Sequence, residues 1–331
     1  MTGLYITLGV IAFLLINALI CCYIAYDKTF YRPTKKKHLN PKVGLHRKGY
    51  ASFAARTERA IDKLLAIPYE DIYITSHDGL RLHARYYHQK DGAPLVIQCH
   101  GYKSASVRDF SGGALLVMEL GFNTLLIDQR AHEESDGNTI TFGDKERYDC
   151  LNWINYSVER FGEDTKIMLY GISMGAATVI LTGSLDIPKN VLGIFADCPF
   201  SSAPDVIKNT LKNMGAPIPI IYPLVRLGGL IFGRTDPERA NAAEAAKSHK
   251  VPIKLIHGDG DTFVPYAMSE KIYENLKDDE RCSLETVNGA EHAMSIMYEM
   301  QRYCDLVRSF AIQIGALDES AKQVDSERLF E

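Results

Sequence analysis

Apolar and polar positions follow two different rhythms along this chain. Strict alternation occupies residues 70–89 (EDIYITSHDGLRLHARYYHQ) and lies on both sides of Asp78-Gly79. Alternation around an Asp-Gly pair predicts two antiparallel strands joined by a tight turn. Beyond this hairpin, short continuous apolar runs replace the alternation, and they lie at 94–99, 123–128, 166–171, 191–197, 253–258 and 282–288.

Stretches with helical spacing of apolar residues precede the hairpin and separate the apolar runs. They lie near 53–67, 106–120, 144–160, 174–185, 237–248, 266–277 and 291–313. Continuous apolar strands that alternate with helices are typical of a parallel sheet covered on both faces. We therefore predict an α/β fold with a mostly parallel central sheet flanked by helices, and with the hairpin at one edge.

One interval interrupts this alternation. Residues 199–235 are too long for a simple crossover and are rich in Pro, Gly and large aliphatic side chains. Such a segment usually forms extra helices over the carboxyl edge of the sheet, where ligands of α/β proteins bind. A structural excursion that packs on itself is an equal alternative. We place the inserted helical segment at about 199–250.

The N-terminal region differs from the rest of the chain. From Gly3 to Tyr26 no residue carries a charge. As a helix at about 1.5 Å per residue, this stretch spans roughly 36 Å, enough for a hydrocarbon core of about 30 Å. A cleaved signal peptide is the alternative, but the stretch has no basic residues before it and no small-residue cleavage site. We predict a transmembrane anchor at 1–27 that contacts membrane lipid through residues 3–26.

A basic juxtamembrane linker is predicted at 28–52. Lys and Arg are frequent between Lys28 and Lys48, and only Asp27 opposes them in this flank. Basic residues beside a spanning helix favour the cytoplasmic side, so a single-pass cell-membrane protein with a cytoplasmic α/β domain is expected. The alternative is a solvated linker without influence on orientation. The α/β domain is expected at 53–317 and a polar C-terminal tail at 318–331.

Composition limits the classes of function. The chain has 331 residues, of which 46% are hydrophobic and 24% charged, with a formal net charge of −4. These values are ordinary for globular domains and give no sign of a nucleic-acid partner. Seven cysteines without C-x-x-C spacing indicate buried free thiols rather than a disulfide framework or a zinc site. The oligomeric state is not predicted.

A serine between two glycines is the first candidate for chemistry. The sequence G-I-S-M-G occupies 171–175, directly after an apolar run and before a helical stretch. At such a strand-to-helix corner, this spacing is typical of a nucleophile elbow. We predict Ser173 as the nucleophile, with Gly171 and Gly175 leaving room where a Cβ would collide with a neighbouring strand or helix. A turn that happens to contain serine is the alternative.

A nucleophilic serine needs a histidine as base and a carboxylate that orients it. Behind a nucleophile elbow these partners follow in the order acid, then histidine. After Ser173 the chain contains His249, His257 and His292; we predict His292 as the base, because it follows the last strand in a loop at the same edge of the sheet. The candidate acids are Asp259 and Asp261, both just past the strand that ends at His257.

An oxyanion needs two backbone donors. One is predicted to be the N–H of Met174, directly after the nucleophile, and the other to come from the loop after the run at 94–99. We assign the second donor to the N–H of Tyr102, with its ring lining the site. Gly101 allows the chain to turn close to the substrate, and His100 is expected to be structural.

Four stretches together resemble the α/β-hydrolase superfamily: G-I-S-M-G, H-G-D-G-D-T-F-V-P (257–265), G-A-E-H and C-H-G-Y. More narrowly, they resemble bacterial membrane-anchored serine hydrolases related to esterases and to the prolyl-oligopeptidase catalytic domain. The resemblance covers roughly 70–313 and implies Asp261 as the acid, with Asp259 left to turn hydrogen bonds. D-Q-R-A-H (128–132) also matches, but relatives usually have glycine where this chain has Glu133.

The activity implied by this resemblance is hydrolysis of a small-molecule carboxylic ester through an acyl-serine intermediate, without a metal or an organic cofactor. A serine peptidase of the prolyl-oligopeptidase type is a second hypothesis, although the chain has no propeller-sized domain to gate peptides. A non-catalytic, membrane-tethered binding domain is the third hypothesis.

Overall fold

The structure is a computed structural model that describes residues 2–33, 40–43, 45 and 51–331. A long apolar helix, α1 (Thr2–Thr29), precedes the α/β domain. Within the described residues, α1 is the one helix that is long and apolar enough to cross a membrane, judged by length and composition. Much of the predicted basic linker, including Lys35, Lys36 and Lys37, lies outside the described residues.

The described residues form a sheet of eight strands in the order β1-β2-β4-β3-β5-β6-β7-β8. The hairpin strands pair antiparallel with each other, β2 pairs antiparallel with β4, and the other neighbours are parallel. The prediction of a mostly parallel sheet with an antiparallel hairpin at one edge is confirmed. The strands are β1 (Glu70–Thr75), β2 (Arg81–Tyr87), β3 (Leu95–Cys99), β4 (Asn123–Asp128), β5 (Ile167–Ile172), β6 (Val191–Asp197), β7 (Ile253–Gly258) and β8 (Ser283–Val287).

Helices cover both faces of this sheet. Successive strand residues point to opposite faces, so Ile97 and Val96 of β3 belong to two separate hydrophobic cores. The helices are α2 (Ala54–Ala66), α3 (Ser106–Asp109), α4 (Ser111–Glu119), α5 (Glu146–Phe161), α6 (Met174–Gly183), α7 (Ala203–Asn213), α8 (Ile218–Gly228), α9 (Ala242–Ala246), α10 (Ala267–Tyr273), α11 (Ser295–Tyr298) and α12 (Met300–Gln313).

Three predicted helices are divided. The stretch near 106–120 is interrupted at Phe110, which is fully buried and separates α3 from α4. The stretch at 237–248 forms a short 3₁₀ turn (Pro237–Arg239) before α9, and 291–313 forms α11 and α12. Apolar spacing alone does not reveal these breaks, because the side chains on both sides of each break face the same core.

The irregular interval at 199–235 contains α7 and α8, and a π-helical turn at Gly229–Gly233 prolongs α8. The C-terminal part of α1 packs on this prolonged helix. At Gly228 a Cβ would lie 2.3 Å from the Cys22 carbonyl oxygen, so only glycine allows the two backbones to approach so closely.

The border between the anchor and the α/β domain differs from the predicted one at 27/28. α1 continues to Thr29, and the next residues pack into the domain: Phe30 and Arg32 are buried, and Tyr31 forms a β-bridge with Thr139. Basic residues dominate this flank in the sequence, so the burial of Phe30 is not evident from composition.

The segment at 318–331 was expected to be a polar tail, but its end is folded onto the domain. A 3₁₀ turn at Ser326–Leu329 buries Leu329 and Phe330. The Phe330 ring packs against Gly112 of α4, and Arg59 of α2 donates a 2.7 Å hydrogen bond to the Phe330 carbonyl. Two apolar residues therefore anchor a segment whose composition is mostly polar.

Candidate active site

The strand-to-helix corner holds Ser173 in an unusual backbone conformation. β5 ends at Ile172, α6 begins at Met174, and Ser173 between them has φ 56° and ψ −116°. This is a strained conformation for a residue with a Cβ. A Cβ at Gly171 would lie 2.3 Å from the Gly175 carbonyl oxygen, and one at Gly175 would lie 1.8 Å from the Cys99 carbonyl oxygen. Both glycines are therefore required by close backbone contacts.

The loop after β8 brings His292 to this corner. The His292 Nε2 atom lies 2.9 Å from the Ser173 Oγ atom, although 119 residues separate the two along the chain. The Phe263 ring meets the imidazole edge-on, with the ring centres 5.0 Å apart. His292 is half-buried, so one side of the imidazole faces the cavities described below.

Asp261 holds the other side of the imidazole. The His292 Nδ1–H donates a 2.6 Å hydrogen bond to Asp261 Oδ2, while Asp261 Oδ1 accepts from the backbone N–H groups of Phe263 and Val264 at 2.9 and 2.8 Å. Because a carboxylate only accepts, the His292 proton resides on Nδ1, and Nε2 is left to accept the Ser173 hydroxyl proton.

The Asp261 carboxyl is kept ionised. Burial raises its pKa, but the hydrogen bonds from His257 and His292 outweigh burial and lower the pKa to about 2. Asp259 has a different role in the structure. Its Oδ1 atom accepts a 2.5 Å hydrogen bond from the Gly289 N–H and so ties the loop after β7 to the loop after β8.

His257 is a site residue that the sequence interpretation treated only as the end of a strand. It is fully buried, its Nε2 atom lies 2.8 Å from the Val264 carbonyl oxygen and 3.2 Å from Asp261 Oδ2, and its Nδ1 atom lies 2.6 Å from Ser269 Oγ. The carbonyl fixes the proton on Nε2, which therefore also faces the carboxylate. The signal in the sequence was the position of His257 four residues before Asp261.

The loop after β3 lies against the nucleophile. A Cβ at Gly101 would be 3.5 Å from the Ser173 Cβ, and the Gly101 N–H donates a 2.7 Å hydrogen bond to Asp109 Oδ2. Met174 is the first residue of α6, where backbone N–H groups have no partner within the helix. Tyr102 lines the same two cavities as Ser173, and Met174 follows Ser173 directly in the chain.

The Tyr102 side chain contacts the anchor helix. Its ring stacks on Phe142 with the ring centres 5.1 Å apart, and its hydroxyl donates a 2.7 Å hydrogen bond to the carbonyl of Thr29. The next residue, Lys103, receives its backbone support from His132, whose Nε2 atom accepts the Lys103 N–H at 3.0 Å. His100 is fully buried and its Nδ1 atom lies 2.8 Å from the Gly101 carbonyl oxygen.

Glu133 stands where relatives usually have glycine. Its φ of 42° lies in the left-handed region that favours glycine, in line with the glycine that the resemblance implies at this position. Its Oε1 atom lies 3.9 Å from the Arg32 guanidinium, which is almost completely buried. This ion pair joins the loop after β4 to the segment that follows α1, a contact that glycine cannot make.

Two cavities meet at Ser173. The larger has a volume of about 710 Å³ and is almost wholly apolar, with walls from α1, α7 and α8. The smaller has a volume of about 250 Å³ and includes His292, Arg108 and Asp109. A still larger cavity of about 880 Å³ lies at the opposite edge of the sheet, around the ion pair between Glu70 and Arg160, and Ser173 does not line it.

Donor atoms suited to a metal ion also meet at this site. Cys198, Asp261 and His292 each offer a ligand atom within 4.8 Å of the others. The hydrogen bonds between Asp261 and His292 and between His292 and Ser173 account for this proximity. A second group, His249, Asp279 and Cys282, is occupied by an imidazole–carboxylate contact of 2.9 Å.

Comparison with solved structures agrees with the fold. An esterase from Pyrococcus furiosus superposes with a TM-score of 0.63 at 26% sequence identity, over 75% of this chain and 92% of the esterase. Two other structures share the fold. Est1E from Butyrivibrio proteoclasticus with ferulic acid bound superposes with a TM-score of 0.57 at 21% identity, over 74% of this chain and all of Est1E. An acylaminoacyl peptidase from Pyrococcus horikoshii superposes with a TM-score of 0.55 at 17% identity, over 82% of this chain and 45% of the peptidase. The chain is a member of the α/β-hydrolase superfamily.

Sequence comparison adds two curated bacterial relatives. YqkD of Bacillus subtilis, an uncharacterized protein, is 27% identical over 225 residues, which are 66% of this chain and 72% of YqkD. YfhR of Escherichia coli, also uncharacterized, is 24% identical over 65% of this chain and 71% of YfhR. No family model matches the chain. The fold and the esterase neighbour together indicate a hydrolase of the α/β-hydrolase kind.

Proposed function

We propose that this protein is a serine hydrolase that cleaves carboxylic esters, with Ser173 as nucleophile, His292 as general base and Asp261 as the carboxylate that orients the base. The observation that supports this most directly is the continuous hydrogen-bond chain from Ser173 Oγ through the imidazole to Asp261. A binding domain without catalysis has no use for a strained serine joined to a buried imidazole and an ionised carboxylate.

The reaction takes place in two halves. His292 Nε2 accepts the Ser173 proton while Oγ forms a bond to the ester carbonyl carbon, and the N–H groups of Met174 and Tyr102 stabilise the oxyanion. The C–O bond to the alcohol then breaks, and the imidazolium donates its proton to the departing oxygen. A water molecule, deprotonated by His292, forms a bond to the acyl carbon. The bond between that carbon and Ser173 Oγ then breaks, the imidazolium returns the proton to Oγ, and the carboxylic acid leaves. Each oxyanion donor is typically worth about 3 kcal/mol.

The two cavities suggest how the ester lies. The leaving alcohol must lie beside His292, which protonates it, and His292 lines the smaller, more polar cavity. The acyl group then extends from Ser173 into the apolar cavity of about 710 Å³. This placement favours esters of small polar alcohols with long or bulky acyl groups.

The membrane location is also part of the proposal. α1 anchors the protein as a single spanning helix, and the basic residues after it place the α/β domain on the cytoplasmic side. Lys28 lies in the last turn of α1, where a cation also suits the carboxyl end of the helix dipole. The enzyme would therefore act on esters at the inner face of the membrane.

Labelling with a fluorophosphonate probe tests the nucleophile. The full-length protein in detergent should be labelled on Ser173, and Ser173→Ala should lose labelling and at least about 1000-fold of its activity on p-nitrophenyl butyrate. Its melting temperature should stay near that of the wild type, since alanine keeps the Cβ and leaves the backbone conformation at this position unchanged. An aminoacyl p-nitroanilide in the same assay tests peptidase activity. Unlabelled Ser173 in folded protein would refute the proposal.

A further inference from the structure

The carboxyl end of α1 is attached to the loop beside the nucleophile. The Tyr102 hydroxyl donates to the Thr29 carbonyl at 2.7 Å, the Lys103 ammonium donates to the Lys28 carbonyl at 3.0 Å, and the Arg32 guanidinium donates to the Ser104 carbonyl at 3.4 Å. The last carbonyls of a helix have no partner within it, so these bonds fix the position of α1 relative to Ser173.

A tight interface with α8 secures the same end of α1. Cys22 and Tyr26 are buried, and the Tyr26 hydroxyl lies 2.7 Å from the Thr139 hydroxyl. Gly228 and Gly233 both face α1: a Cβ at Gly228 would lie 2.3 Å from the Cys22 carbonyl oxygen, and one at Gly233 would lie 3.0 Å from the Tyr26 ring. α1 is therefore a fixed part of the domain surface from Cys22 onward.

α1 forms one wall of the apolar cavity that ends at Ser173. The residues of α1 in this wall are Cys21, Ile24, Ala25, Lys28 and Thr29. The facing wall includes Val206 and Leu211 of α7 and Leu224 of α8. Ile24 is 52% exposed and Met214 is 74% exposed, yet both line the cavity. The cavity thus opens to the outside between α1 and the inserted helices.

The cavity opens near the point at which α1 stops packing on the α/β domain and continues as the membrane-spanning part of the helix. Residues 2–21 precede the packed part of the helix, and at about 1.5 Å per residue they extend about 30 Å, the thickness of the hydrocarbon core. α8 and the π-helical turn that follows it add exposed apolar side chains: Ile220, Leu227, Leu230 and Ile231 are between 45% and 64% exposed. An apolar surface therefore continues from the spanning helix to the mouth of the cavity.

We infer that the membrane helix is part of the substrate site, and that the substrate is a long-chain acyl ester drawn from the bilayer, whose chain enters between α1 and α8. This inference rests on the proposed esterase activity. A chain leaving the bilayer at this point stays in contact with apolar side chains all the way to Ser173, and the polar alcohol end occupies the smaller cavity beside His292. α1 thus selects the substrate in addition to anchoring the protein.

Acyl-chain dependence of the full-length protein in phosphatidylcholine vesicles tests this inference. Each CH₂ buried in the cavity should raise kcat/KM for p-nitrophenyl esters by up to about fourfold, so the octanoate should exceed the acetate by at least about 100-fold. Monooleoylglycerol in the same vesicles should release oleate, and Ser173→Ala should release none.

Tryptophan substitutions test whether the residues that line the cavity, rather than other residues of the same helices, determine the chain-length dependence. Ala25→Trp on α1 and Leu224→Trp on α8 fill the cavity from opposite sides, and each should lower the ratio of octanoate to acetate kcat/KM at least about tenfold. Ala18→Trp lies on the same face of α1 two turns earlier, does not line the cavity, and should keep the wild-type ratio.

The outcomes distinguish this inference from the proposed activity. Turnover of the acetate with a flat dependence on chain length overturns the inference and leaves the esterase intact. If p-nitrophenyl octanoate is hydrolysed but no oleate is released from monooleoylglycerol, the claim that the substrate is drawn from the bilayer is wrong. If Ala25→Trp and Ala18→Trp change the ratio equally, α1 is not part of the site. Absence of any turnover, with Ser173 unlabelled, refutes the esterase itself.

Discussion

At the scale of single residues, the carboxylate of Asp261 is held from three sides. Two backbone N–H groups bind one oxygen, and two imidazoles face the other. Because the pKa of Asp261 is lowered to about 2, the carboxylate is charged throughout the pH range in which enzymes of this type work. Protonation of Asp261 therefore does not account for a loss of activity between pH 4 and 7.

Exchange of each aspartate for asparagine distinguishes the two candidates for the acid. Asp261→Asn removes the charge that stabilises the imidazolium and presents an N–H₂ group to the ring, so kcat should fall by about 1000- to 10,000-fold. Asp259→Asn keeps an acceptor for the Gly289 N–H and should cost less than about tenfold. Steady-state kinetics on p-nitrophenyl butyrate measures both losses of activity. A larger loss for Asp259→Asn than for Asp261→Asn would show that the assignment of Asp261 as the acid is wrong.

Local and distant contacts differ in how far the sequence reveals them. The bend at Ser173 and its flanking glycines follow from five consecutive residues, and the hairpin follows from Asp78-Gly79. The bond from Tyr102 to Thr29 is invisible in the sequence, because it depends on where α1 meets the domain. His257 was missed for the same reason. Its role depends on the Val264 carbonyl and the Asp261 carboxylate, which the loop after β7 brings next to its imidazole.

At the scale of elements, the packing of α1 on α8 depends on one glycine. Gly228→Val places a Cβ within 2.3 Å of the Cys22 carbonyl, so α1 should separate from α8 while the sheet stays folded. In a Cys21→Ala background, alkylation of the otherwise buried Cys22 thiol by N-ethylmaleimide should then become at least about tenfold faster. Gly9→Val, which meets no atom within 4 Å, is the control, and equal rates in both variants would disprove the close packing.

The presence of the inserted helices could be predicted from the sequence, but their role could not. Pro, Gly and aliphatic residues at 199–235 predicted extra helices, and α7 and α8 are present. The sequence left open whether these helices pack on themselves or line a substrate site, because apolar side chains are compatible with both arrangements. The structure shows Val206 and Leu224 in the wall of the cavity that reaches Ser173, which favours a role in the substrate site.

At the scale of the whole molecule, the proposed cytoplasmic placement rests on two features. The basic flank after α1 favours the cytoplasm, and all seven cysteines are free thiols, with the Cys99 and Cys150 sulfur atoms only 3.9 Å apart. Thiols so close together remain reduced more readily in a reducing compartment.

Protease added to sealed membrane vesicles tests this orientation. In right-side-out vesicles the α/β domain should be protected, because the membrane separates it from the protease, and in inside-out vesicles it should be digested. Detergent should abolish protection in both, which controls for a domain that resists the protease by its own stability. Digestion in intact right-side-out vesicles would place the domain outside the cell, and the bilayer leaflet that supplies the acyl esters would then be the outer one.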